Sequence, residues 1–371
     1  MIDVNASVLT DRIARIRRAM DDQGVDVLLL SVGADLPYVT GYEAMPLERL
    51  TMLVLPKDGD ATLVIPRLEA PRVVEYPDVF SLLAWDETQS PTDIVAGLAR
   101  SARTAAIGDR TWSQFLVELL GLMPATKFSK ASAVIGPIRA RKDAAEIAAL
   151  QKAGAAADRV AHQLHRGEIE LVGRTEADVS AEISRRLIDE GHDKVNFAIV
   201  AASENAASPH HHASQRIIRE DELVLFDFGG TMAGYCSDIT RCVFIGDNVP
   251  SEIADAYDVL FAAETAGVKA GVVGTPCEDV DAITRRIITD GGYGEYFIHR
   301  TGHGIGLEEH EDPYIVAGNR EPLAAGHAFS IEPGIYLPNR FGMRLEDIVV
   351  ATDDGPLPMT EADHRLVQLS S

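Results

Sequence analysis

Cysteine is scarce: Cys236, Cys242 and Cys277 are the only three in 371 residues, with no CxxC spacing among them. A disulfide framework is therefore excluded, and a reduced, cytoplasmic setting is expected. Cys236 lies two residues from Asp238 and reads as a small buried residue rather than a soft metal ligand. Basic residues are also few, 34 against 57 acidic ones, for a net charge of −23. The positive footprint that nucleic acid or an anionic membrane surface requires is missing, so neither is expected as a partner. No apolar run approaches the roughly 20 residues of a membrane span. The opening stretch MIDVNASVLTDRIARIRRAM lacks the apolar centre of a signal peptide and reads as the start of a mature helix. Internal repeats, heptad arrays and low-complexity tracts are absent as well.

What remains is an ordinary globular composition, 46% apolar and 25% charged, on a length that predicts two domains. Pro137 and the cluster Arg139, Arg141, Lys142, Asp143 mark the join, giving domains 1–136 and 137–371. In the first, Leu9, Ile13, Ile16 and Met20 recur at helical spacing over 9–23, and Gly24 stops the helix. Strands are predicted at 25–31, 51–56, 61–66, 80–85 and 104–109, with helices near 67–75, 91–102 and 112–121. The Asp58-Gly59 turn makes 51–66 a hairpin. This α/β domain gathers no titratable cluster and is assigned to shape and assembly.

The second domain reads as α+β. A helix spans about 142–165, and another starts at Thr175, whose hydroxyl and the nearby Asp178 form an N-cap signal. Strands follow at 197–202, 223–228 and 236–246, then helices near 251–270 and 277–290, then further strands.

Three stretches of this domain carry chemistry. LFDFGGTMAGYCSDITR holds Asp227 and Asp238, which are symmetric about a turn centred between Met232 and Ala233. That turn would set the two carboxylates directly opposite each other on one hairpin face, where like charges repel unless a cation lies between them. FSIEPGIYLPNRFGMRLEDIV repeats the device, with Glu332 and Glu346 symmetric about Asn339. IHRTGHGIGLEEHEDP supplies His299, His303 and His310, with glycines at 302, 304 and 306 expected to leave the imidazole open to close approach. Four acids and His303 make an oxygen-rich ligand set for two divalent ions. The glycines do not meet GxGxxG spacing, and a nucleotide loop is set aside. Of the run His210, His211 and His212, one residue is expected to act. Arg344 lies on the face of Glu346 and reads equally as a ligand-orienting group or a structural ion pair.

Taken together, these segments resemble the pita-bread metallopeptidases of the M24 type, and among them the Xaa-Pro dipeptidases (prolidases), with a creatinase/prolidase N-terminal domain. Asp227, Asp238, His303, Glu332 and Glu346 match the family's five metal ligands. His210 and His310 match histidines at the substrate and scissile bond, and His299 and Arg344 match further pocket positions. Ser203 stands where glycine is frequent in the family. The resemblance implies an α/β N-terminal domain followed by an α+β pita-bread (creatinase/aminopeptidase-like) catalytic domain. It also implies hydrolysis of the bond before proline in short proline-containing peptides, with His210, His310 and Glu332 catalytic and His210, His299, His310 and Arg344 contacting substrate. Two divalent ions are expected, manganese first, with cobalt, zinc or iron as alternatives, and the family resemblance suggests a homodimer. The rival within the fold is an aminopeptidase P trimming longer peptides. Methionine aminopeptidase fits poorly with a leading domain, and the retained acids argue against a metal-free creatinase-type hydrolase. The rival from another class is a non-catalytic binding module on the same scaffold.

Overall fold

The computed structural model describes residues 4–370, so Met1–Asp3 of the opening stretch lie outside the described residues. The chain divides into two compact units, 1–139 and 140–371.

In the first unit, helix Ala6–Gln23 buries Leu9, Ile13, Ile16 and Met20, the stripe its spacing predicts. Asn5 caps it, and Gly24 ends it in the left-handed region at φ 66°. A mixed six-stranded sheet runs in the order Phe80–Trp85, Ala61–Pro66, Met52–Pro56, Val27–Leu30, Thr104–Ile107, Lys127–Lys130. The 52–66 hairpin forms as expected. The helix expected over 67–75 does not form: only a 3₁₀ turn, Ala70–Arg72, is present. Pro71 removes a backbone donor from that segment.

The second unit opens on helix Ala144–His165, held by a capping box in which Asp143 and Glu146 satisfy each other's backbone amides. Helix Glu176–Asp189 begins at Thr175, whose side chain accepts from the Asp178 amide. Both helices bury apolar faces in the core that covers Val200, Phe226, Phe228 and Ile239. The first sheet here orders Val367–Leu369, Ile239–Ile245, Glu222–Met232 and Lys194–Ala202. A second orders Glu311–Ile315, Gly302–Gly304, Ala328–Ile331, Asp347–Thr352 and Gly355–Pro358. The hairpin Gly334–Leu337/Phe341–Arg344 forms a separate two-stranded ribbon.

Register decides where the acids fall. The first hairpin turns on Ala233 and Gly234, at φ 50° and 90°, rather than between Met232 and Ala233. Asp227 therefore pairs with Thr240, not Asp238. Asp238 lies two positions along from Thr240, so it keeps the same face but sits diagonally from Asp227. Gly229 and Gly230, a pair with turn composition, belong to strand Glu222–Met232. They are small because a Cβ at Gly229 would lie 2.1 Å from the Ser237 carbonyl oxygen and one at Gly230 2.6 Å from that of Lys194.

In the second hairpin Gly334 pairs with Arg344 and Ile331 with Asp347. One register, centred on Asn339, runs through both ladders. Glu332 and Glu346 face each other at the break between them.

Candidate metal centre and substrate pocket

His303 lies in strand Gly302–Gly304, buried to 2% exposure. Its Nδ1 is 3.1 Å from the Gly304 carbonyl oxygen, which can only accept, so the proton sits on Nδ1 and Nε2 keeps its lone pair. That Nε2 is 3.3 Å from Glu332 Oε1 and 3.9 Å from Asp238 Oδ2. The flanking glycines serve packing, not access as expected from the sequence. A Cβ at Gly302 would lie 1.8 Å from the Ser330 carbonyl oxygen, and one at Gly304 2.2 Å from that of Asp312. Ser330 Oγ accepts from the His303 amide at 3.0 Å and donates to Glu332 Oε1 at 3.3 Å, tying the His303 backbone to the Glu332 carboxylate.

The two sheets meet at Thr240. Its hydroxyl donates to Glu346 Oε2 at 2.6 Å, and the Glu346 amide donates to its carbonyl oxygen at 3.3 Å. Behind this contact, Arg241 donates to the Glu346 carbonyl oxygen at 2.8 Å and pairs with Asp347. Asp238, His303 and Glu346 present ligand atoms that all lie within 4.8 Å of one another.

Arg344 is buried and committed. It donates to Asp227, to Thr240 Oγ1 at 3.1 Å and to Tyr336 OH at 2.8 Å. Tyr336 in turn donates to His299 Nε2 at 2.9 Å, because His299 Nδ1 is used on the Arg300 carbonyl oxygen at 2.7 Å. Thr240 and Tyr336 were not singled out from the sequence. Period-two spacing carries the signal for both: Thr240 is two residues from Asp238, and Tyr336 is two from Gly334, the ladder partner of Arg344.

Electrostatics follow from burial. Asp238 and Glu346 are pushed well above the usual carboxylate range, first by burial and then by neighbouring carboxylates. Glu332 rises to about 7 by burial, with Arg344 opposing and Asp227 adding to the rise. His303 falls to about 3, through burial and then His310. His299 falls to about 4, through burial and then Arg344. His310, with its ring centre 4.0 Å from that of His303, is lowered mainly by burial. Asp227 Oδ1 and Asp238 Oδ1 are buried and have no hydrogen-bond partner among the described residues. Four carboxylates with Arg344 among them, two orphaned oxygens and an imidazole lone pair are a donor set that a divalent cation would satisfy.

All nine sequence-predicted site residues, His210, Asp227, Asp238, His299, His303, His310, Glu332, Arg344 and Glu346, line one cavity of about 500 Å³. His210 is exposed at this cavity, whereas His211 turns away to Glu176 Oε2 at 2.9 Å and His212 is exposed. Phe197, Ile199 and Pro209 give the cavity an apolar wall, and Arg300 also lines it. Cys236 is buried and accepts from Asn196 Nδ2 at 3.6 Å, outside the ligand group, with its thiol pushed up to about 12 by burial.

A buried carboxylate–imidazole cage opening on this cavity, in the α+β unit that follows the α/β unit in the chain, has the donor set of a metal-dependent hydrolase. Residues 148–353 match Metallopeptidase family M24, and residues 12–141 match the Creatinase/Prolidase N-terminal domain. The chain is 41% identical to the "Probable dipeptidase PepE" of Mycobacterium tuberculosis strain H37Rv, across 98% of this chain and 97% of the relative. The crystal structure of dipeptidase PepE from Mycobacterium ulcerans superposes with a TM-score of 0.93 at 41% identity, covering 99% of this chain and 100% of that one. A recombinant prolidase from Thermococcus sibiricus follows at a TM-score of 0.91 and 36% identity, covering 97% and 99%. The Xaa-Pro dipeptidase from Bacillus anthracis gives 0.89 at 28%, covering 97% and 100%. The chain belongs to metallopeptidase family M24 and carries that family's creatinase/prolidase N-terminal domain.

Proposed function

We propose that this metallopeptidase is a dipeptidase that hydrolyses the bond before proline in Xaa-Pro dipeptides. The observation that carries the reading is the convergence of Asp227, Asp238, His303, Glu332 and Glu346 on one buried centre with unsatisfied oxygens. The prolidase and Xaa-Pro dipeptidase titles of two similar structures support the proline preference. Those five side chains would hold two divalent ions, which supply Lewis acidity toward water and the scissile carbonyl. Manganese suits the oxygen-rich set, with cobalt, zinc and iron compatible.

The remaining chemistry belongs to the protein. Glu332, held by the Ser330 hydroxyl at 3.3 Å beside His303, takes a proton from the attacking water and returns it to the leaving proline nitrogen. His310, its pKa lowered, is neutral at pH 7 and donates one N–H to the carbonyl oxygen as it gains charge. His210 approaches that oxygen from the exposed rim. Arg344 steadies Asp227 and, through Tyr336, the His299 ring. Phe197, Ile199 and Pro209 offer the apolar surface a pyrrolidine ring would bury.

A homodimer in a reduced cytoplasmic compartment completes the reading. The three cysteines are all free and buried, and sedimentation of the purified protein checks the assembly.

The test is turnover by the manganese-loaded enzyme of Ala-Pro, Ala-Ala and Ala-Pro-Ala. Ala-Pro is expected to be preferred. Cleavage of the tripeptide alone would make the protein an aminopeptidase. No cleavage of any peptide, with metal content verified, would favour a binding module.

A further inference from the structure

The loop that carries His210 joins strand Lys194–Ala202 to strand Glu222–Met232, and one buried carboxylate holds it. Glu176, in the first turn of helix Glu176–Asp189, is 0% exposed. Its Oε1 accepts from the Ala202 amide at 2.9 Å and from Asn205 Nδ2 at 3.0 Å. Its Oε2 accepts from Asn205 Nδ2 at 3.1 Å, His211 Nε2 at 2.9 Å, the Ser214 amide at 3.1 Å and Ser214 Oγ at 2.6 Å. Donors from the start of the loop and from its middle thus converge on one group that belongs to a different element. Burial raises the pKa of this carboxyl, but the hydrogen bonds from Ser214, Ala202, His211 and Asn205 outweigh it and leave the group below its ordinary value.

The same helix end takes up the loop's backbone. The Glu176 and Ala177 amides, free of intrahelical partners, donate to the Arg216 and Ser214 carbonyl oxygens at 3.0 Å each. On its other flank the loop rests against the hairpin of the metal centre. Arg344 Nη1 is 3.5 Å from the Pro209 carbonyl oxygen, and a Cβ at Gly342 would lie 1.9 Å from that of Ala206. His210 therefore sits between two fixed points: Pro209 faces the Arg344 side and His211 faces Glu176.

We infer that Glu176, acting through His211, is the positioning residue that sets the His210 imidazole over the scissile bond. This rests on the proposed role of His210. The placement selects among the three adjacent histidines, since His211 is spent on the anchor and His212 faces solvent. Glutamine at 176 would aim an amide NH₂ at groups that are themselves donors, so the substitution is isosteric and yet breaks the clamp.

The experiment is a double-mutant cycle in kcat/KM on Ala-Pro, using H210A, E176Q and the double variant, each loaded with manganese and checked for metal content and thermal melting. H210A is expected to lose on the order of 100-fold, as removal of an oxyanion donor does. E176Q is expected to lose roughly 10- to 100-fold through misplacement, mainly in kcat, with metal content unchanged. In the H210A background the E176Q loss is expected to vanish. H211Q, which keeps a donor toward Glu176, should retain more activity than H211A. A full additive loss in the double variant, or an E176Q enzyme as active as the parent, would overturn the inference while leaving the His210 role intact. Unchanged activity of H210A would instead overturn the role assigned to His210.

Discussion

His327 is 1% exposed, and its Nδ1 accepts from the Ala324 amide at 3.3 Å, so the ring is held neutral. Burial, then Arg141 and Lys142, lower its pKa from 6.5 to about 4. The unfolded chain therefore binds this proton more tightly than the folded one. Stability is fully present above pH 6.5 and is lost as pH falls toward 4. The parent should accordingly lose about 2 kcal/mol relative to a His327→Asn variant between pH 7.5 and 5, at ~1.4 kcal/mol per pKa unit. Denaturant titrations of both proteins at the two pH values check this, and a constant gap would refute it. The comparison isolates one group because the two proteins share every other titratable residue, including Asp238, Glu332 and Glu346, whose raised pKa values in the metal-free protein shift stability the opposite way. At this scale the sequence was most legible where a residue's chemistry is rare. The five candidate ligands all fall on one cavity, whereas Tyr336 and Thr240, hydroxyls of common type, are distinguished only by the face they share.

Strands and helices differ in how far their bounds can be read. Helices Ser251–Ala270 and Cys277–Asp290 follow their apolar period and begin just after prolines, where a missing amide costs nothing. Helix Ser132–Ala140 was hidden by its internal Pro137, and strand Lys127–Lys130 by its exposed, polar character at the sheet edge. In the first hairpin Gly229-Gly230 has the composition of a turn but lies inside a strand. Those glycines are instead dictated by neighbouring backbone that no local pattern records. Glycine therefore predicts opposite outcomes in two elements. Gly302→Ala should destabilise the second unit by about 3 kcal/mol or more and weaken metal binding, because the Ser330 backbone cannot yield. Gly121→Ala, in helix Ser113–Leu122 with nothing within 4 Å, should stabilise by up to about 1 kcal/mol. Calorimetry and metal titration of the two variants measure both.

For the whole molecule, the −23 charge and the buried acids make cation binding a stability term as well as a catalytic one. Manganese at 100 times its dissociation constant should add about 2.7 kcal/mol per site to the unit that holds the acids. Because the chain is built as two compact units, calorimetry of chelator-treated and manganese-loaded protein should move the transition of 140–371 upward and leave that of 1–139 in place. An equal shift of both, or of neither, would contradict that assignment. Thr240 adds a consequence for assembly. Asp227 and Asp238 are presented by one sheet, Glu332 and Glu346 flank strands of the other, and Thr240 with its neighbour Arg241 stitches the two. Neither sheet alone owns a complete cage, so ion capture waits until that seam has closed. Tight binding then reports the joined sheets rather than the formation of either half.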